Sequence, residues 1–129
     1  MSGRFLPPDH SRGDANTIGG YAAVHARPVA FEGSDGMSYS VEIVVDETEI
    51  VGRPYGAYLL FMRWRRIGAQ GIEGHLETDY LAYGASEEAA RARVGAMTLN
   101  EAKALLEGLI REQAANRPSR RWWDAMRDE

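Results

Sequence analysis

Apolar and polar positions alternate along the chain from Tyr21 to Tyr83, and a helical spacing replaces that alternation from Ser86 onward. The first stretch predicts four strands. The first of them covers about Tyr21 to Phe31 and contains Pro28, which cannot donate to a β-ladder and so marks an edge or a bulge. Glu32-Gly33-Ser34-Asp35-Gly36 then has the composition of a hairpin loop. In the second strand Tyr39, Val41, Ile43 and Val45 alternate with Ser38, Ser40, Glu42 and Asp46, with Val44 breaking the pattern, so one face is buried and one is wet.

After the acidic loop Asp46-Glu47-Thr48-Glu49 and the turn Gly52-Arg53-Pro54, the third strand runs from Tyr55 to about Arg66. Ala57, Leu59 and Phe61 occupy one of its faces, while Tyr58, Leu60, Met62 and Trp64 occupy the other, so both faces call for cover. Past Gly68-Ala69-Gln70-Gly71 the fourth strand places Ile72, Leu76, Tyr80 and Ala82 against Glu73, His75, Glu77 and Asp79.

Helix signals follow. Ser86 is an N-cap ahead of Glu87 and Glu88, and that helix is expected to reach about Gly95. Thr98 and Glu101 have capping-box spacing and open a second helix to about Gln113, whose Leu99, Ala102, Leu106 and Leu109 form an apolar stripe. Arg117-Pro118-Ser119 is expected to break it before a short last helix with Trp122, Trp123 and Met126. The expected fold is α+β: a four-stranded, mainly antiparallel sheet with two or three C-terminal helices packed on one face.

Residues 1–20, rich in Pro, Gly, Ser and Asp with only Phe5, Leu6 and Ile18 as apolar anchors, read as a flexible or packing N-terminal arm; residues 21–129 read as one domain. A chain of 129 residues is the size of one domain. With 44% hydrophobic and 26% charged residues it has ordinary globular composition. No stretch reaches the ~18 apolar residues of a membrane span, the start lacks a signal-peptide core, and there is no cysteine; a cytoplasmic, bacterial setting without disulfides is the expectation. The net charge of −4 opposes general nucleic-acid binding, although fourteen of the fifteen cations are arginine and some of these cluster.

Glu73, His75, Glu77 and Asp79, two residues apart along one strand, are the candidates for a divalent metal or for acid and base work, with His75, Glu77 and Asp79 as candidate catalytic groups; the alternative is a solvated strand face. The acidic run Asp46, Glu47, Glu49 lacks the pattern of a calcium loop, His10 and His25 have no nucleophile motif near them, and Gly52-Arg53-Pro54-Tyr55-Gly56 lacks the elements of a phosphate loop. No cofactor is implied. Arg63, Arg65 and Arg66 beside Trp64, and Arg120 and Arg121 beside Trp122 and Trp123, have the mixture of cations and aromatics that binds single-stranded RNA; the alternative is packing.

The run Tyr39-Ser40-Val41-Glu42-Ile43-Val44-Val45-Asp46-Glu47, then Gly56-Ala57-Tyr58-Leu59-Leu60-Phe61, then Leu81-Ala82-Tyr83-Gly84-Ala85-Ser86-Glu87-Glu88-Ala89 resembles the HicB antitoxin domain, in which an antiparallel sheet leads through such a junction into a helix. The resemblance spans about Tyr39 to Ile110, with Arg63 to Asp79 longer than the family's loop, and it implies a module that neutralises a small RNA-cleaving toxin. From the residues themselves the expected function is protein interaction. Tyr58, Leu60, Met62 and Trp64 form the partner-binding face, covered by a second copy, by another protein, or by the N-terminal arm.

Overall fold

The computed structural model describes residues 7–64 and 72–127, without the side chains of Ile72, Glu73 and residues 116–127. The chain forms helix α1 (Ile18–His25), strands β1 (Ala30–Glu32), β2 (Ser38–Ile50), β3 (Arg53–Trp64), β4 (Ile72–Glu77) and β5 (Ala82–Gly84), then helices α2 (Glu87–Gly95) and α3 (Leu99–Arg127). All strand pairs are antiparallel, in the order β1-β2-β3-β4, with β5 also pairing β3. The fold is therefore α+β, with the helices against one face of the sheet.

The long β2–β3 hairpin is the centre of the sheet. Tyr39↔Arg63, Val41↔Phe61, Ile43↔Leu59 and Val45↔Ala57 are cross-strand partners, so the odd-numbered residues of both strands share one face. On that face Ala57, Leu59 and Phe61 have no exposed surface and meet Ile18 from α1, Ala90 and Val94 from α2, and Ala102, Leu106 and Ile110 from α3. This is the core.

Capping chemistry fixes where the helices begin. Ser86 Oγ accepts from Ala89 N–H (3.0 Å) at the start of α2. At α3, Thr98 N–H donates to Glu101 Oε1 (3.0 Å) and Glu101 N–H to Thr98 Oγ1 (3.1 Å), the reciprocal pair that its sequence spacing predicts. Gly84 lets β5 turn closely into α2, because a Cβ there would lie 2.5 Å from the Ala90 nitrogen.

Three expectations are corrected. The stretch from Tyr21 to His25 is helix, not strand: Thr17 Oγ1 caps α1 by accepting from Gly20 N–H (3.0 Å), and Ala26, at φ 56°, ends it in the left-handed region. Of that expected strand only Ala30 and Phe31 are in β1, which runs on to Glu32. Residues before α1 are tied down, with Asp9 N–H on Val24 O (2.9 Å), Ile18 N–H on Met97 O (2.9 Å) and Leu99 N–H on Asn16 O (2.9 Å), so the first turns of α1 and α3 satisfy each other through their flanking loops. Phe5 and Leu6 lie outside the described residues.

The expected fourth strand is two strands. Thr78 replaces part of the ladder with its side chain: its Oγ1 accepts from Leu59 N–H (3.2 Å) while its own N–H reaches Leu59 O (3.1 Å). Within β4 a register shift sets His75 opposite Met62, Gly74 opposite Arg63 and Ile72 opposite Trp64, which leaves Glu73 out of the pairing and breaks the regular two-residue alternation. Finally, α3 continues through Pro118 to Arg127. A proline inside a helix lacks one hydrogen bond and crowds one carbonyl, a local cost that a helix absorbs by bending rather than ending. Among the described residues no helix is long and apolar enough to cross a membrane.

Adjacent residues of β3 should thus differ sharply in their contribution to stability. Phe61→Ala is expected to cost about 3–5 kcal/mol and Met62→Ala less than about 1.5 kcal/mol, read as the shift of the urea unfolding midpoint at constant slope.

Candidate partner-binding face

The even-numbered residues of β2 and β3 point away from the helices, and the described residues place no helix over them. Along β3 this open face carries Tyr58, Leu60, Met62 and Trp64, all half-buried. Register sets their neighbours. Trp64 lies opposite Ser38 and Ile72, Met62 between Ser40 and His75, Leu60 between Glu42 and Glu77, and Tyr58 opposite Val44. An apolar and aromatic ridge therefore runs up the middle strand with carboxylates on both sides of it.

One end of the ridge is built around a glycine. A Cβ at Gly56 would lie 2.7 Å from the Tyr80 ring, so its absence lets Tyr80 lie on the strand between Tyr58 (ring centroids 5.9 Å apart) and Tyr83 (5.7 Å apart). Tyr80 O–H donates to Asp46 Oδ2 (3.0 Å), and that hydrogen bond to a carboxylate raises the tyrosine's pKa above its ordinary value. Burial, then the charges of Glu77 and Asp46, raise that of Tyr58. The Arg53 guanidinium lies 5.0 Å from the centroid of Tyr83. At the other end Trp64 Nε1–H donates to Ser40 Oγ (3.1 Å), which fixes the indole across the strand pair. These four phenol and indole rings are held by partners and are not free rotors.

The candidate metal and catalytic groups meet only in part. His75 Nε2 lies 3.9 Å from Glu77 Oε1, with side chains 61% and 46% exposed, a pair that water screens strongly. Asp79 is in the loop after β4, and the side chain of Glu73 is outside the described set. Among the described residues no group of three or more His, Asp or Glu side chains is arranged to hold a metal ion.

The arginine candidates separate as well. Arg63 shares the parity of Phe61 and faces the helices: its Nε–H donates to Tyr39 O–H (3.0 Å), a second guanidinium nitrogen donates to Gln113 Oε1, and Tyr39 O–H donates to Asp35 Oδ2 (2.6 Å). This chain of bonds joins the β1–β2 loop, both central strands and α3. Ser34 N–H reinforces it by donating to Glu107 Oε2 (3.0 Å), which holds the Glu107 carboxyl below its usual range. Arg63 is thus on the opposite face from Trp64, its neighbour in sequence. Arg65 and Arg66 lie outside the described residues, as do the side chains of Arg120 and Arg121.

No family model matches this chain, and no curated protein or solved structure is significantly similar to it. The resemblance to the HicB antitoxin domain therefore rests on the quoted residues alone.

Tyr39 is fully buried, and burial first, then the hydrogen bond to Asp35, pushes its pKa up from 10.0 to about 12. The folded state holds that proton more tightly than the unfolded chain, so the stabilisation is complete below pH 10 and is lost as pH rises through about 12. Unfolding midpoints measured across this alkaline window should fall, and Tyr39→Phe should flatten the decline while lowering stability at neutral pH by about 1 kcal/mol.

Proposed function

We propose that the chain is a protein-interaction module rather than an enzyme, and that its open sheet face is where a second copy docks. The observation that carries this reading is the ridge of Tyr58, Leu60, Met62 and Trp64 on the central strand, over which the described residues place no helix. Aromatic and methionine side chains in the middle with polar groups at the margin are what interface cores use.

Charge supports the choice of occupant. The face is flanked by Glu42, Asp46 and Glu77, and toward its C-terminal end the same sequence carries Arg117, Arg120, Arg121 and Arg127, against Asp124, Asp128 and Glu129, among Trp122, Trp123 and Met126. Helix α3 carries that segment to Arg127, and Ile110 is the last of its described side chains in the core. By sequence, a second copy thus brings apolar residues and a small surplus of cations that could complement the face. Completing the burial of four half-buried side chains returns on the order of 1 kcal/mol each. That is comparable to the lower end of the cost of association, so the charge match decides whether the dimer forms.

Sedimentation equilibrium of the full chain tests this. Twice the protomer mass of 14.3 kDa is expected at low salt, with dissociation promoted by added salt. Leu60→Glu, on a half-exposed position, is expected to give monomers with unchanged circular dichroism. A chain that stays monomeric at all concentrations overturns the reading.

A further inference from the structure

On the helix side, where β1 stops after three residues, α1 and α2 stand beside the uncovered edge of β2 and leave a groove of about 750 Å³. That volume lies within the roughly 300–1,000 Å³ of small-molecule sites. Ile18, Val29 and Val41 are its buried apolar lining, with half-buried Ile43 beside them. Among the described residues no buried side-chain donor or acceptor lacks a partner, so the buried side chains of this lining offer apolar contact. Recognition of charge falls to the exposed residues around it.

Those residues are cationic in a chain of net charge −4. Arg27 and Arg91 both line the groove; Glu42 also does, but its register partner Leu60 puts its side chain on the open face, across the sheet. Arg27 lies 5.6 Å from the centroid of Tyr21, which braces its guanidinium. Arg91 Nη1 donates to Ile43 O (3.0 Å), and its other partner, Glu87, is exposed and 3.8 Å away, too weak a pair to neutralise it. By occupying the Ile43 carbonyl, Arg91 also closes the edge of β2 to an added strand, which favours a small molecule over an extended peptide.

We propose that this groove binds a small amphiphile with an aliphatic body and a single carboxylate, the body against Ile18, Val29 and Val41 and the carboxylate toward Arg27 and Arg91. Guanidinium groups pair with carboxylates through two parallel hydrogen bonds, a geometry that an alcohol of the same length does not satisfy.

Titration calorimetry of the full chain with decanoate and with decanol decides it. One decanoate is expected per chain, bound more tightly than decanol. The double variant Arg27→Gln/Arg91→Gln, exposed at both positions, is expected to weaken decanoate by about tenfold or more while leaving decanol unchanged. Ala96→Trp, which fills the groove from an exposed position on its wall, is expected to abolish binding of both. Equal affinity for acid and alcohol, decanoate binding that survives the double variant, or no binding at all would each overturn the proposal. The groove is on the far side of the sheet from the ridge, so sedimentation of the same variants separates this result from that of self-association.

Discussion

Ala57, Leu59 and Phe61 are where every layer of the molecule meets. Each is without exposed surface, and each is touched by the helical layer that α1, α2 and α3 build together. Strand geometry then dictates the rest, because the residues between them must point the opposite way. The connections reinforce the asymmetry. Hairpins join β1 to β2 and β2 to β3, so those links provide no crossover helix to lay on the other face. The three helices are also tied to each other: a bridge joins Thr17 to Thr98, and α1 approaches α2 at Gly19, where a Cβ would lie 3.2 Å from the Gly95 Cα. A layer so connected stays on one side, and the other side of β3 keeps its apolar residues with no intramolecular cover among the described elements.

What could be read from the sequence was whatever had a local cause. The period of two in β2 and β3, Ser86 ahead of α2 and the Thr98–Glu101 pair ahead of α3 are each set by residues within a few positions of one another. Helix α1 had no such advertisement: Gly19 and Gly20 in its first turn are poor helix formers, and its apolar residues do not fall on one stripe. It forms because its N-terminus is satisfied by Met97 and capped by Thr17, and because Ile18 and Val24 find burial, facts of tertiary position. The division between β4 and β5 likewise depends on Thr78 meeting Leu59 across the sheet.

The candidate site shows the same boundary. Tyr58, Leu60, Met62 and Trp64 were legible as a set because strand parity alone groups them. Grouping Arg63 with Trp64 by adjacency misses that parity, which sends the arginine to Tyr39 and Gln113 on the far side. Tyr80 and Tyr83 could not be assigned to the ridge beforehand, since their place on it is set by the space above Gly56 and by Asp46, 34 residues away along the chain. The arginine-lined groove had no sequence signature either, being assembled from α1, α2 and a strand edge.

Residue-resolved methyl spectra of the full chain, recorded through a dilution series, test the central claim most directly. The two parities of one strand serve as each other's control. The methyl signals of Leu60, Met62 and Val44 should move together with concentration, while those of Leu59, Val41 and Leu106 stay fixed. Concentration-dependent shifts confined to the helix-side residues, or none on either face, would contradict the account.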